Sequence, residues 1–233
     1  MEAGKAAAII ADNWRQVQQR VTEAAERSDR NPAGVHIIGV TKYVDASVAQ
    51  HLVNAGCKRL GENRPQMLWQ KAEALASHSD IQWHVIGHLQ TNKLRRTMKL
   101  RPLIHSIDSE RLLRAVEEEA AKQEQVAEVL LEVNISGDEN KTGLMPDALT
   151  SLLETEHANV RIRGLMAMAG LGTDAAEAGN QFDEVRVLRD RLQQETGNPL
   201  PELSMGMTAD FPEAIAAGAT MVRIGSALFD GVR

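Results

Sequence analysis

The sequence predicts an α/β fold, a single (β/α)8 TIM barrel with an additional N-terminal helix, and three observations predict it. Short apolar runs alternate strictly with helix-patterned segments. There are eight such runs, and polar residues recur at the C-terminal ends of most of them. Strict alternation demands parallel strands joined by helical crossovers. Eight units in 233 residues suit a closed barrel better than an open sheet. An open doubly wound sheet is the rival arrangement.

The elements follow in order. Ile9, Ile10, Trp14, Val17, Val21 and Ala24 recur at helical spacing, so residues 5–27 form an amphipathic helix outside the barrel proper. After the turn signal "SDRNPAG" the barrel occupies about 35–229. Its strands are "VHIIGV" (35–40), "RLGEN" (59–63), "IQWHVIG" (81–87), "PLIHSID" (102–108), "AEVLLEVNI" (127–135), "VRIRGLMAM" (160–168), "ELSMGM" (202–207) and "MVRIGS" (221–226). Helices are expected over 46–55, 64–77, 91–99, 109–123, 146–157, 175–195 and 211–217. That makes seven, and the N-terminal helix can fill the eighth position. No linker or low-complexity tract divides the chain, so 1–233 is expected to be one domain.

Composition narrows the function. The chain is 43% hydrophobic and 25% charged, with a net charge of −6, which argues against a general nucleic-acid binder. One cysteine, Cys57, excludes an internal disulfide and a cysteine-based zinc site. The N-terminus lacks the pattern of a secretory signal, and no apolar run reaches the length of a membrane span. A cytoplasmic protein is expected, a monomer or weak homodimer, with no nucleic-acid or membrane partner.

Barrel active sites lie at the C-terminal ends of the strands, so those ends carry the chemical argument. "SMGMT" (204–208) and "IGSA" (224–227) bring glycines and hydroxyls to strands 7 and 8. Barrels often hold a phosphate there, on backbone N–H groups, and ordinary turn chemistry is the other reading. Lys42 ends strand 1. It either snorkels to the rim and pairs with Asp45, or sits partly desolvated, where a lowered pKa lets its amine attack an aldehyde. Together, an amine and a phosphate site suggest a ligand carrying both an aldehyde and a phosphate. Pyridoxal phosphate is one, and a sugar phosphate is the rival. Arg223 either forms an ion pair at the barrel end or faces a pyridine nitrogen, which it would keep unprotonated. Asn63 ends strand 2; His84 reads as a hydrogen-bonded core histidine or as a ring neighbour. Met166 and Met168 alternate along strand 6 as packing residues, and Met166 is kept among the candidate cofactor contacts. "GLGTDA" (170–175) imitates a dinucleotide fingerprint, but it follows the wrong strand for one.

At these residues the sequence resembles a known family. "VTKY", "LGEN", "WHVIGHLQTNK", "NISGDENKTG", "RGLMAMA" and "LSMGMTADFPEAIAAGATMVRIGSALF" look like the ordered signatures of the pyridoxal-phosphate homeostasis proteins, relatives of the barrel domain of alanine racemase. The resemblance runs from Val35 to Phe229. It implies pyridoxal 5′-phosphate bound to Lys42 as an internal aldimine, and a phosphate held by Ser204, Met205, Gly225 and Ser226. It also implies Arg223 beside the ring nitrogen, with Asn63 and His84 near the ring. "GENRPQM" departs from the usual "GEN-[YR]-V-Q-E", although Pro65 suits the first turn of a helix.

Racemisation needs an acid–base group on each face of the bound amino acid. Lys42 supplies one. The chain's single tyrosine, Tyr43, neighbours Lys42 and by strand alternation should face away from it. A complete binding site beside an incomplete catalytic one implies a buffer or carrier of the cofactor, meeting acceptor apoenzymes that depend on it, with little or no turnover. A racemase and a Schiff-base aldolase are the enzymatic alternatives.

Overall fold

A computed structural model describes residues 3–135, 142–170 and 172–232. Eight parallel strands close into a barrel in sequence order: β1 (His36–Val40), β2 (Arg59–Glu62), β3 (Gln82–Val85), β4 (Leu103–Ile107), β5 (Ala127–Glu132), β6 (Val160–Met166), β7 (Glu202–Ser204) and β8 (Met221–Ile224). β8 pairs with β1 through Ile38–Arg223 and Gly39–Ile224, which closes the ring. Strand parity sets the two faces. A Cβ on Gly39 would meet Leu52 and Cys57 in the helical layer, whereas one on Gly61 would meet Ile38 and Ile86 inside the barrel.

The helices are α1 (Ala3–Arg27), α2 (Ala46–Asn54), α3 (Pro65–Ala74), α4 (Leu94–Thr97), α5 (Glu110–Lys122), α6 (Pro146–Glu154), α7 (Ala175–Thr196) and α8 (Phe211–Ala216). The apolar stripe of α1 is buried at Ile10, Trp14, Val17, Val21 and Ala24. α1 lies between α8 and α2, so it fills the eighth helical position. Asn13 Nδ2 fastens it to the carbonyls of Leu228 (3.2 Å) and Asp230 (3.0 Å) near the C-terminus.

The expected helix over 91–99 is broken. Only Leu94–Thr97 is α-helical, flanked by 3-10 turns at Thr91–Lys93 and Met98–Leu100, and Arg101 ends the segment at φ 48°. Thr97 Oγ1 bonds back to Lys93 O at 2.8 Å and accepts from Trp69 Nε1 at 3.1 Å. Such back-bonding competes with helical propagation. Several strands also end earlier than their apolar runs: β5 stops at Glu132, β7 at Ser204 and β8 at Ile224. Among the described residues, no helix is long and apolar enough to cross a membrane.

Candidate functional site at the C-terminal mouth of the barrel

Lys42 stands on a fixed platform. Thr41, which precedes it, is buried; its N–H donates to Gly61 O at 3.0 Å and its hydroxyl to Glu62 Oε1 at 2.6 Å. Lys71 of α3 donates to Thr41 O at 2.6 Å and also pairs with Glu62 Oε1. Both ionic side chains are buried, at 1% and 0% exposure. The peptide carrying Lys42 is therefore tied to β2 and α3, while the Lys42 side chain is only half-buried.

The pairing of Lys42 with Asp45 does not form. Asp45 caps α2 instead, accepting from Val48 N (2.9 Å) and Ser47 Oγ (2.7 Å), bonds that hold its carboxyl below the usual range. Lys42 Nζ lies 4.9 Å from the centroid of the Tyr43 ring. Tyr43 was expected to face away, and this is corrected: β1 ends at Val40, residues 41–44 form a turn closed by Val44 N to Thr41 O at 3.0 Å, and strand alternation no longer applies there.

β8 brings up the next group. Arg223 is 5% exposed and forms no ion pair among the described residues. Its Nη1 donates to Ser204 O (2.8 Å) and Ser204 Oγ (2.7 Å), and its Nη2 donates to Ala167 O (3.0 Å). Burial pushes its pKa down to about 10, against the opposing pull of Asp210 and Glu132, so it is a fixed cation at neutral pH. Gly225 follows, and a Cβ there would lie 3.3 Å from Val40 O. Glycine thus lets the end of β8 close onto β1, which places exposed Ser226 beside the strand that leads to Lys42. Asn63 is half-buried at the end of β2. A Cβ on Gly87 would sit 2.5 Å from Asn63 O, so the end of β3 must be glycine for the two strand ends to meet.

The remaining expected site residues lie deeper. Ser204 is fully buried, with its hydroxyl between Arg223 and His105 Nδ1 (2.9 Å). Met205 packs in the core, and its N–H already donates to Met221 O at 3.1 Å. Met166 is buried at the end of β6, in register with Ser204 and Glu132. His84 is not brought to the mouth. It lies inside the barrel and lines a cavity at the N-terminal end, its Nδ1 bonded to His105 Nε2 at 2.8 Å. The expectation of His84 beside a ring is corrected: inward parity on β3 puts the side chain two hydrogen bonds below Ser204.

Three groups escaped the sequence reading. His105 on β4 links His84 to Ser204. Glu132, at the end of β5, is 6% exposed and accepts from Thr142 Oγ1 at 2.7 Å; burial raises its pKa. Lys71 gave a readable signal, since it falls between Leu68 and Leu75 on the buried stripe of α3. Beside Glu132 a cavity of about 670 Å³ opens between the ends of β5, β6 and β7, walled by Met168, Thr173, Met207 and Asp210. Most of "GLGTDA" borders this cavity, and Asp174 caps α7 by accepting from Glu177 N at 2.9 Å. Most of "NISGDENKTG" (136–141) lies outside the described residues.

Comparison with known proteins places this architecture. Residues 7–231 match the family model of the alanine racemase N-terminal domain. The pyridoxal phosphate homeostasis protein of Aquifex aeolicus is 41% identical over 215 residues, covering 91% of this chain and 94% of that protein. The protein of the same name from Bos taurus is 33% identical over 230 residues, covering 92% of this chain and 84% of the relative. Among solved structures, PipY of Synechococcus elongatus with pyridoxal phosphate bound superposes with a TM-score of 0.80 at 34% identity, covering 90% of this chain and 99% of PipY. A Bifidobacterium adolescentis protein reaches a TM-score of 0.90 at 32% identity, covering 97% and 96%. D-Threonine aldolase of Filomicrobium marinum, at 16% identity and a TM-score of 0.76, shares the fold alone. With its closed barrel, its lysine at the end of β1 and matches of this extent, the chain belongs to the pyridoxal phosphate homeostasis protein family.

Proposed function

We propose that the protein binds pyridoxal 5′-phosphate at the C-terminal mouth, with Lys42 as the amine that meets its aldehyde. It acts in cytoplasmic vitamin B6 homeostasis as a buffer or carrier, with little or no catalysis. The observation that carries this reading is Lys42 itself. It is a half-buried amine on a platform locked by Thr41, Glu62 and Lys71, without a carboxylate partner among the described residues and next to the Gly225–Ser226 end of β8. The binding of pyridoxal phosphate by PipY supports it.

The donor set fits that ligand. When bound, the cofactor supplies an aldehyde that condenses with an amine and a pyridine ring that withdraws electrons when protonated. Gly225 and Ser226 offer backbone and hydroxyl to a phosphate, and Asn63 and Met166 stand at the neighbouring strand ends. Arg223 can only donate hydrogen bonds. Anchored on Ser204 and Ala167, it gives no proton to a nitrogen that faces it, which disfavours carbanion chemistry. Tyr43 lies beside the Lys42 side chain, so it would not stand opposite the lysine as the second base that racemisation requires.

Purified protein incubated with pyridoxal phosphate is expected to develop a visible absorbance band that Lys42→Ala abolishes. Protein that stays colourless rules out the binding reading. Sustained exchange of deuterium at the α-carbon of alanine, at enzymatic rates, would replace the carrier reading with a racemase. Acceptor apoenzymes are the proposed partners.

A further inference from the structure

The N-terminal end of the barrel holds a second polar cavity, of about 370 Å³. His36, Arg59, His84, Arg101, Arg163 and Glu202 line it, with Glu128 on the same wall. Gln82 and Arg101 at its rim are exposed, so it opens to solvent. Its carboxylates are already committed: Arg163 lies 3.0 Å from Glu128 and 3.7 Å from Glu202, and Thr220 donates to Glu202 at 2.6 Å. Arg59 and Arg101 have no carboxylate within ion-pair distance among the described residues.

Proton accounting along the barrel axis adds an independent observation. A guanidinium only donates, so Ser204 Oγ accepts from Arg223 and keeps its own proton. The other polar side-chain atom within reach is His105 Nδ1 at 2.9 Å. With Ser204 donating there, His105 carries its proton on Nε2 and donates it to His84 Nδ1 at 2.8 Å. His84 then carries its proton on Nε2, a buried atom with no hydrogen-bond partner in the protein. The reverse order would strand two groups, the Ser204 hydroxyl proton and a His84 lone pair, so it is the costlier arrangement. Burial keeps both rings neutral. The chain of donors from Arg223 thus ends in an unsatisfied, buried N–H on a residue that lines this cavity, where two guanidinium groups have no carboxylate partner among the described residues.

We propose that this N-terminal cavity is a binding site for a small oxyanion, a phosphate or a carboxylate, held by His84 Nε2–H, Arg59 and Arg101. An acceptor at His84 satisfies the last donor of the chain. It also strengthens each preceding bond, because hydrogen bonds in series polarise one another, so occupancy reaches Ser204 and Arg223 on the far side of the barrel interior. The site is distinct from the C-terminal mouth, and its test does not depend on cofactor binding there.

Inorganic phosphate and, separately, acetate are titrated into the full-length protein at constant ionic strength, with histidine side-chain N–H signals followed by NMR. A saturable shift of the His84 Nε2–H signal is expected, and the anion that saturates at lower concentration identifies the class. Arg59→Gln and Arg101→Gln should each weaken that anion's binding roughly tenfold. Arg101 is exposed, so its variant gives the affinity even if Arg59→Gln destabilises the fold. No saturable shift with either anion, or unchanged affinity in Arg101→Gln, overturns the proposal.

Discussion

At the scale of single residues, the site rests on a lysine that does no chemistry. Lys71 is buried with Glu62, and together they hold the Thr41 peptide beneath Lys42. One Glu62 oxygen, Oε2, is buried without a partner, so the cluster is already costly and depends on its cation. Removing one partner of a buried pair leaves an uncompensated charge. Lys71→Met should therefore lower stability by about 3–5 kcal/mol, and the double variant Lys71→Met with Glu62→Gln should recover much of it. Chemical denaturation of the three proteins measures both effects. Lys42 was legible in the sequence because an ammonium at the end of an apolar strand needs a reason. Lys71 was just as legible from its place between Leu68 and Leu75. His105 was not, since one histidine in an apolar strand looks the same whether it is isolated or bonded to partners on other strands.

At the scale of elements, periodicity located the eight strands and the α-helices of the described residues but not the 3-10 helices at Pro32–Gly34 and Ser226–Phe229. Boundaries depart where side chains bond to backbone or a glycine bends the chain. Thr97 and the left-handed Arg101 break the expected helix over 91–99. β7 ends at Ser204 although its apolar run continues to Met207. Gly206 explains that ending: its φ is +87°, and a Cβ there would lie 2.5 Å from Ala214 Cβ in α8. The loop after β7 is thereby pressed onto α8, and Asp210 caps it by accepting from Met207 N at 2.6 Å. Gly206→Ala faces both a left-handed backbone and a collision with a neighbouring helix, so a loss of about 2 kcal/mol or more is expected. Thermal unfolding of this variant checks the value, and an unchanged midpoint would contradict the packing described. The closure of β8 onto β1, by contrast, follows from contacts distant in sequence, which no local pattern carries.

At the scale of the molecule, the barrel interior is a polar column joining its two ends, Arg223 to Ser204 to His105 to His84. Both histidines are held neutral, His84 with its pKa pushed down to about 3 and His105 also well below the usual range, chiefly by burial. The unfolded chain binds these protons near pH 6.5 and the folded chain does not, so their contribution to stability is present above that pH and is lost as pH falls towards the folded values. Each histidine should cost about 1.4 kcal/mol per pH unit across pH 6 to 4.5. Glu132, whose carboxyl is pushed up, opposes this by at most one proton. Denaturation measured across that range should show falling stability, and His84→Asn should flatten the slope by one proton's worth. The column holds Arg223 from below, and the peptide that carries Lys42 is tied from the side by Glu62 and Lys71. In the proposed function, Lys42 takes the aldehyde of pyridoxal phosphate. Borohydride reduction of the cofactor-loaded protein, followed by peptide mass spectrometry, tests it most directly. The pyridoxyl mass is predicted on the peptide containing Lys42; its appearance on another lysine, with the Lys42 peptide unmodified, would contradict the account.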